Sequence, residues 1–437
     1  MRSNTLNSKI KEIKAREVLD SRGNPTVEVE LKTELGSFLA LTPSGASKGK
    51  YEAKEVRDNE NRYHGMGVLE AVNNVNNIIG PAIIGKDSTQ QEEIDNFINQ
   101  LDGTPDKSRL GVNAILPVSI AVCRAGAAAK NIPLYKHIQE FYKKRFSNQN
   151  KEEPNLKIPT PCFNIINGGA HAGNFLDFQE FMIVPQFEEF SKNLQAAVEI
   201  YQELKIIIKD YYGGLAINVG DEGGFTPPIK IPNEALDLIL RAVKNLNYQK
   251  EVKIILDVAA SQFFNQTSIA NEEMQGNKYK TKMGVFTSDG LLNYYFDLIQ
   301  NYPILGLEDP FGEDDFDGWQ QLNSKVKSQS LSLLIIGDDL LATNIERIKI
   351  TQEKGLCNAA IIKPNQIGTL TETIKAVDLA KYYGWKVVVS HRSGDTYDDF
   401  IADLAVGVGA DFIKSGAPAR GERVAKYNRL LKIESYK

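Results

Sequence analysis

Cysteine is scarce in this chain. Only Cys123, Cys162 and Cys357 occur among 437 residues, an odd number spread far apart. They support neither a disulfide framework nor a cysteine-based zinc site, and they read as reduced, buried thiols of the kind a cytosolic protein carries. Long apolar runs are missing too. The longest, around Ala114–Ala129, is interrupted by Pro117 and Arg124 and is too short to span a bilayer. The opening stretch MRSNTLNSKIKEIKAREVLD lacks the apolar core of a secretory signal. Nor is there an excess of positive charge. Lys+Arg number 51 against 56 Asp+Glu, a net charge of −5, which excludes nucleic acid as the expected partner.

What remains is of ordinary globular composition, 42% hydrophobic and 24% charged, and long enough for two or three domains. Near the start, Val27, Val29 and Leu31 alternate with Glu28, Glu30 and Lys32 between turn-rich Gly23-Asn24-Pro25 and Leu35-Gly36-Ser37. That period of two predicts an antiparallel hairpin or meander. Pro43-Ser44-Gly45-Ala46-Ser47-Lys48-Gly49 follows as a flexible loop by composition, and Val68–Ala129 reads as helical. A polar, proline-containing stretch at Phe146–Pro161 divides the chain into an α+β domain at 1–145 and a larger domain at 146–437.

Beyond Pro161 short apolar runs alternate with helical stretches. The runs are CFNIING, EFMIVP, LAINVGDE, KIILD, ILGLE, LLIIGD, AIIK, VVVSHR and DFIK. Such alternation over about 280 residues predicts an α/β architecture with a mostly parallel sheet, and its size matches a closed (β/α)8 barrel. The first two runs lie too close for a crossover helix, so the barrel is expected to open with an antiparallel hairpin. An open doubly wound sheet is the alternative, but Gly168-Gly169 and Gly223-Gly224 do not form its phosphate-binding fingerprint.

Six of these runs end in ionisable residues: Asp257, Glu308, Asp338, Lys363, His391-Arg392 and Lys414. In a barrel they converge on the C-terminal rim, where active sites lie. Any one of them alone reads as a loop residue or a helix cap; six in succession read as a site. Three carboxylates without nearby Cys or His suit Mg²⁺ or Mn²⁺ better than zinc or copper. Lysines on adjoining strands would place an anionic substrate beside such a metal. His171 in a glycine-rich loop and Gln179-Glu180 before FMIVP extend the set. Glu222, at the glycine turn of NVGDEGGF, is expected to have a raised pKa and to act as a general acid. No G-x-S-x-G elbow is present to support a serine nucleophile.

The motifs SGASKG, NGGAHAG, FQEFMI, NVGDEGGF, LEDPFGEDD, GDDLLATN, IKPNQIGTL, VSHRSGDT and KSGAPAR, in this order along nearly the whole chain, resemble the enolase family. The resemblance implies a ββαα(βα)6 barrel behind a smaller α+β domain. It also implies Mg²⁺-dependent, reversible dehydration of 2-phosphoglycerate to phosphoenolpyruvate, a step of glycolysis. By position, Asp257, Glu308 and Asp338 resemble the ligands of the first of two Mg²⁺ ions, and Ser47 the lid residue that completes the second site. Lys363 resembles the base at C2, and Glu222 the acid at the 3-hydroxyl, with Glu180 supporting it. Arg392 and Ser393 resemble the phosphate contacts, Lys414 the carboxylate contact, and His171, Gln179 and His391 pocket residues.

The resemblance further implies a homo-oligomer, a dimer or an octamer, in the cytoplasm. It also brings an alternative location at the cell surface or outside the cell, where Lys437 would serve plasminogen binding. Four places depart from the family's pattern: Lys48 where Thr is commoner, Asn59-Glu60 for Gly-Asp, Gln262 for Glu, and Asp395 for the longer Glu. The rival activity is that of another superfamily member, an acid racemase or cycloisomerase, which would lack the SGAS and SHRSG motifs.

Overall fold

The computed structural model describes residues 8–45, 49–59, 61–146, 156–265 and 277–436. Ser47, Lys48, Glu60 and Lys437 lie outside these residues. The chain opens with a meander of β1 (Glu12–Leu19), β2 (Pro25–Thr33) and β3 (Gly36–Leu41). The alternation read from sequence places Val27, Val29 and Leu31 in the core. They pack beneath the helix Val112–Ala129, which is apolar and long enough to cross a membrane but is 89% buried inside the protein. As the helical reading of this segment implies, the helix runs through Pro117, although the stretch is longer than the apolar run was expected to allow. The carbonyl its missing N–H would have bonded, that of Asn113, accepts from Thr42 Oγ1 at 3.2 Å instead.

The remaining strands are β4 (Thr160–Asn167), β5 (Glu180–Pro185), β6 (Val252–Asp257), β7 (Phe264–Asn265), β8 (Lys278–Thr281), β9 (Gly284–Thr287), β10 (Ile304–Glu308), β11 (Leu334–Gly337), β12 (Ala359–Ile362), β13 (Lys386–Ser390) and β14 (Phe412–Lys414). Strands β7–β9 form a small sheet of their own, and the other eight close into a barrel in the order β10-β11-β12-β13-β14-β4-β5-β6. β5 is antiparallel to both neighbours, whereas the other pairs are parallel. Two helices, Phe190–Tyr212 and Pro232–Asn245, separate β5 from β6, which gives the ββαα(βα)6 order.

One run read as a strand is not one. LAINVGDE forms a 3-10 turn at Gly214–Ile217 followed by a loop. The glycines at 213, 214, 220, 223 and 224 deprive it of the uninterrupted extended segment that sheet pairing needs.

Two anchors hold the first domain on the barrel mouth. The β1–β2 turn and the segment after β3 pair with the loop following β13: Ser21 N–H donates to Asp395 O (2.8 Å), and Ser44 and Gly394 exchange backbone hydrogen bonds at 2.7 and 2.8 Å. Arg124 grips Asp398 with two bonds of 2.7 Å. Elsewhere Asp95, fully buried on the helix Gln91–Asp102, accepts from Thr371 N and Oγ1 at the start of the barrel helix Leu370–Tyr382.

Candidate active site

A layer of apolar side chains plugs the barrel: Cys162, Met182, Val184, Ile255, Ile336, Ala359, Ile361 and Val388. Strand side chains alternate across the sheet, so the residue two positions further toward the mouth also points inward. From Ile255 that residue is Asp257, from Ile336 Asp338, from Ile361 Lys363 and from Val388 Ser390. Phe412 leads to Lys414, Cys162 to Asn164, and Met182, on the reversed strand β5, to Glu180. The polar ring is therefore the next layer above the plug. Register fixes it sideways as well: Glu180 pairs with Asp257, Asp257 with Glu308, and Lys414 with Ser390 and Cys162.

Within this ring, charges are buried together. Lys414 Nζ lies 2.9 Å from Asp257 Oδ2, 2.8 and 2.9 Å from the Glu308 oxygens and 3.1 Å from Glu180 Oε1. Burial, and then Asp257, push Glu308 up to about 8. Lys363 is ion-paired with Asp338. Burial presses its ammonium downward, with Arg392 and Lys414, but the surrounding carboxylates, Asp338 foremost and then Glu308, hold it above the usual lysine range. Asp338 also accepts from Gln366 Nε2 at 2.9 Å.

The second wall is carried by loops. Glu222 sits in the turn after Val219, which is clamped on β4. A Cβ on Gly224 would lie 2.7 Å from Asn167 Oδ1, and one on Gly220 would lie 2.3 Å from His171 O. Only glycine permits those approaches. Glu222 Oε2 accepts from Asn164 Nδ2 at 3.0 Å and faces His391 Nε2 at 3.3 Å, while its other oxygen lies 3.4 Å from His171 Nδ1. The sequence expectation of a raised Glu222 is reversed. Burial pushes it up, but His391, His171 and Arg423 hold it well below the carboxylate range. The raised member is Glu180, lifted well above that range by burial and then by Glu222. These two carboxylates and His171 bring one ligand atom each within 4.8 Å of one another, so a proton kept on Glu180 is close to Glu222.

Arg392 meets Glu52 of the first domain through Nη1 at 2.8 Å and Nη2 at 3.2 Å, and Nη1 also donates to Asn365 Oδ1 at 3.2 Å. Ser393 and Gln179 line the same cavity as His171, Glu180, Glu222, Asp257, Asp338, Lys363, His391, Arg392 and Lys414. All the sequence-derived candidates except Glu308, just beneath Lys414, and Ser47, outside the described residues, thus line one cleft. Gln262, one of the departures, touches Gln179 there. Sequence reading missed Glu52, Asn164, Asp309 and Asp339. Asn164 carries the same two-residue spacing beyond Cys162. Asp309 follows Glu308 directly, and its carboxylate accepts the N–H groups of Asp338 (2.9 Å) and Asp339 (2.7 Å).

The donor set suits a hard divalent cation. Asp257, Glu308 and Asp338 are buried, offer oxygen alone, and are balanced by lysine ammonium groups. Among the described residues, the aspartates that bring ligand atoms within 4.8 Å of one another are Asp309, Asp338 and Asp339, whereas Asp257 and Glu308 stand wider apart from Asp338 around the lysine ammonium groups.

Closed barrel, antiparallel second strand, and acid–base rim beneath a smaller α+β domain together define a class of barrel lyases. Residues 155–436 match the model of the enolase C-terminal TIM barrel domain, and residues 10–138 match that of the enolase N-terminal domain. Enolase 1 of Entamoeba histolytica is 48% identical over 430 residues, 97% of this chain and 95% of that protein. The enolase of Methanocaldococcus jannaschii is 49% identical over 427 residues, with 97% and 95% covered, and that of Solanum lycopersicum is 48% identical over 435 residues with the same coverage. The chain belongs to the enolase family. Its enzyme class is accordingly that of a hydro-lyase, phosphopyruvate hydratase, and the family implies a metal cofactor.

Proposed function

We propose that this rim interconverts 2-phosphoglycerate and phosphoenolpyruvate with two Mg²⁺ ions, the first held by Asp257, Glu308 and Asp338 and the second completed by Ser47. The observation that carries the reading is the opposition of two walls: carboxylates and lysines on strand ends, and loop-borne Glu222 facing them, with Glu180 and Glu222 forming a close carboxylate pair across the cleft.

A proton next to a carboxylate is weakly acidic, because its removal adds charge to an anionic group. Bound Mg²⁺ supplies positive charge that stabilises this developing charge. Lys363 takes the C2 proton. Burial, Arg392 and Lys414 all favour its neutral amine, and Asp338 is the main charge that holds it protonated. Were Asp338 to hold a metal, its charge would no longer be available to Lys363, and the neutral amine that acts as base would be favoured. Glu222 delivers a proton to the departing 3-hydroxyl, drawing on the proton that the pair keeps on Glu180. Lys414 faces the substrate carboxylate, Arg392 and Ser393 its phosphate, and His171, Gln179 and His391 shape the pocket. The planar guanidinium of Arg392 suits phosphate oxygens, and its pairing with Glu52 ties the phosphate side to the lid domain.

Incubating the protein with 2-phosphoglycerate and Mg²⁺ and following the absorbance of the enol product tests the reading. A folded, metal-loaded sample without turnover would refute it. The proposal extends to a cytoplasmic homo-oligomer; sedimentation of the full chain at monomer mass would remove that extension.

A further inference from the structure

Arg423 belongs to the last helix, Gly421–Glu434, and is fully enclosed. Its guanidinium gathers acceptors from two loops of the site. Nη1 donates to Arg392 O at 2.6 Å and meets His391 Nδ1 at 2.6 Å, with Asp395 Oδ2 farther away at 3.5 Å. Nη2 donates to Asp221 O at 2.9 Å and Ser393 O at 2.5 Å. A guanidinium has N–H donors only and keeps its proton. The His391 nitrogen that it meets must therefore present a lone pair. In a neutral imidazole the proton then belongs to Nε2, which lies 3.3 Å from Glu222 Oε2. Burial makes His391 neutral, taking it down to about 4 against the pull of Glu222.

We propose that Arg423 is a positioning residue that fixes His391 in the Nε2–H tautomer and so keeps an N–H, rather than a lone pair, beside Glu222. This rests on the reading of Glu222 as the acid of the dehydration. An N–H beside Glu222 favours its ionised form, whereas a lone pair there would oppose it. The arrangement has a competitor close by. Asp395 Oδ2 lies 3.9 Å from His391 Nδ1, while its other oxygen is held by Lys426 at 3.0 Å. A side chain one methylene longer would bring a carboxylate to Nδ1 and draw the ring proton there. The short acid at 395 and the guanidinium at 423 thus select the tautomer together.

Nuclear magnetic resonance of the full-length protein labelled with ¹⁵N-histidine tests this, because long-range proton–nitrogen correlations distinguish the tautomers. The chain has four histidines, and His391→Gln identifies the signal of interest. The wild type is expected to show Nε2–H. Arg423→Met and Asp395→Glu should each move the population toward Nδ1–H, and Arg423→Lys, which keeps a donor-only group, should restore Nε2–H. With 2-phosphoglycerate, Arg423→Met should lose about 10–100-fold in kcat with little change in KM, the usual cost of removing such a supporting partner. A wild-type ring protonated on Nδ1, or a tautomer that either variant leaves unchanged, overturns the assignment. Should Arg423→Met not fold, Asp395→Glu carries the tautomer test alone, because it retains Arg423. The spectra need no substrate. A wild type with the expected tautomer but no turnover would therefore refute the proposed function and leave this assignment standing.

Discussion

The two walls of the cleft are built in different ways. The wall of Glu180, Asp257, Glu308, Asp338, Lys363 and Lys414 grows from strands, where register and alternation set each side chain one layer above an apolar plug. The wall of His171, Glu222, His391, Arg392 and Ser393 grows from loops, which glycine contacts and the buried Arg423 hold in place. Strand geometry fixes where a charge lies but leaves its protonation to neighbouring charges. The loop wall adds control over which atom carries a proton.

The largest effect should come from breaking the strand wall at its base. Lys363→Ala should lower kcat by about 10²–10⁴-fold and abolish exchange of the C2 proton with solvent, while leaving Mg²⁺ binding largely intact. Deuterium incorporation into 2-phosphoglycerate checks it, and persistent exchange would remove Lys363 as base.

The support behind that wall titrates. Asp95, which pins the helix after Lys363 to the first domain, is raised to about 6, chiefly by burial, against the hydrogen bonds it accepts from Thr371, Ser119 and Gln91. A carboxylate raised on folding binds its proton more tightly in the native state. Stability should therefore fall as pH rises from about 4 to 6, by about 3 kcal/mol, and stay level above that window. Urea unfolding of wild type and Asp95→Asn across this range should show the slope in the former and its loss in the latter.

Asp338→Asn should weaken Mg²⁺ binding about tenfold, equivalent to about 1.4 kcal/mol, by titration calorimetry; unchanged affinity would take Asp338 off the ligand set. The smallest effect concerns the same helix. Thr369 caps it by accepting from Glu372 N, so Thr369→Ala should cost about 1 kcal/mol in urea unfolding with the proton-transfer groups untouched.

The contrast between the walls also governs what the sequence reveals. An apolar run ending in a charge at the inward period of two is visible in one dimension, so Asp257, Asp338, Lys363 and Lys414 were legible as a group. Loop residues lack a period. His171 and Glu222 stood out through their glycine-rich motifs, but their charge states depend on partners distant in the chain, and Glu222 was assigned the shift that Glu180 carries. Arg423 gave no signal, because it lies on a helix and reaches the site only through tertiary packing. Pro117 shows how a helix accommodates proline: another donor, here Thr42, satisfies the carbonyl left free.

The division of labour between the walls is tested most directly by Glu222→Gln in deuterated water. If the strand wall takes the C2 proton and the loop wall releases the hydroxyl, this variant should lose about 10²–10⁴-fold in dehydration yet still exchange the C2 proton of 2-phosphoglycerate. Parallel loss of exchange and dehydration would contradict the account.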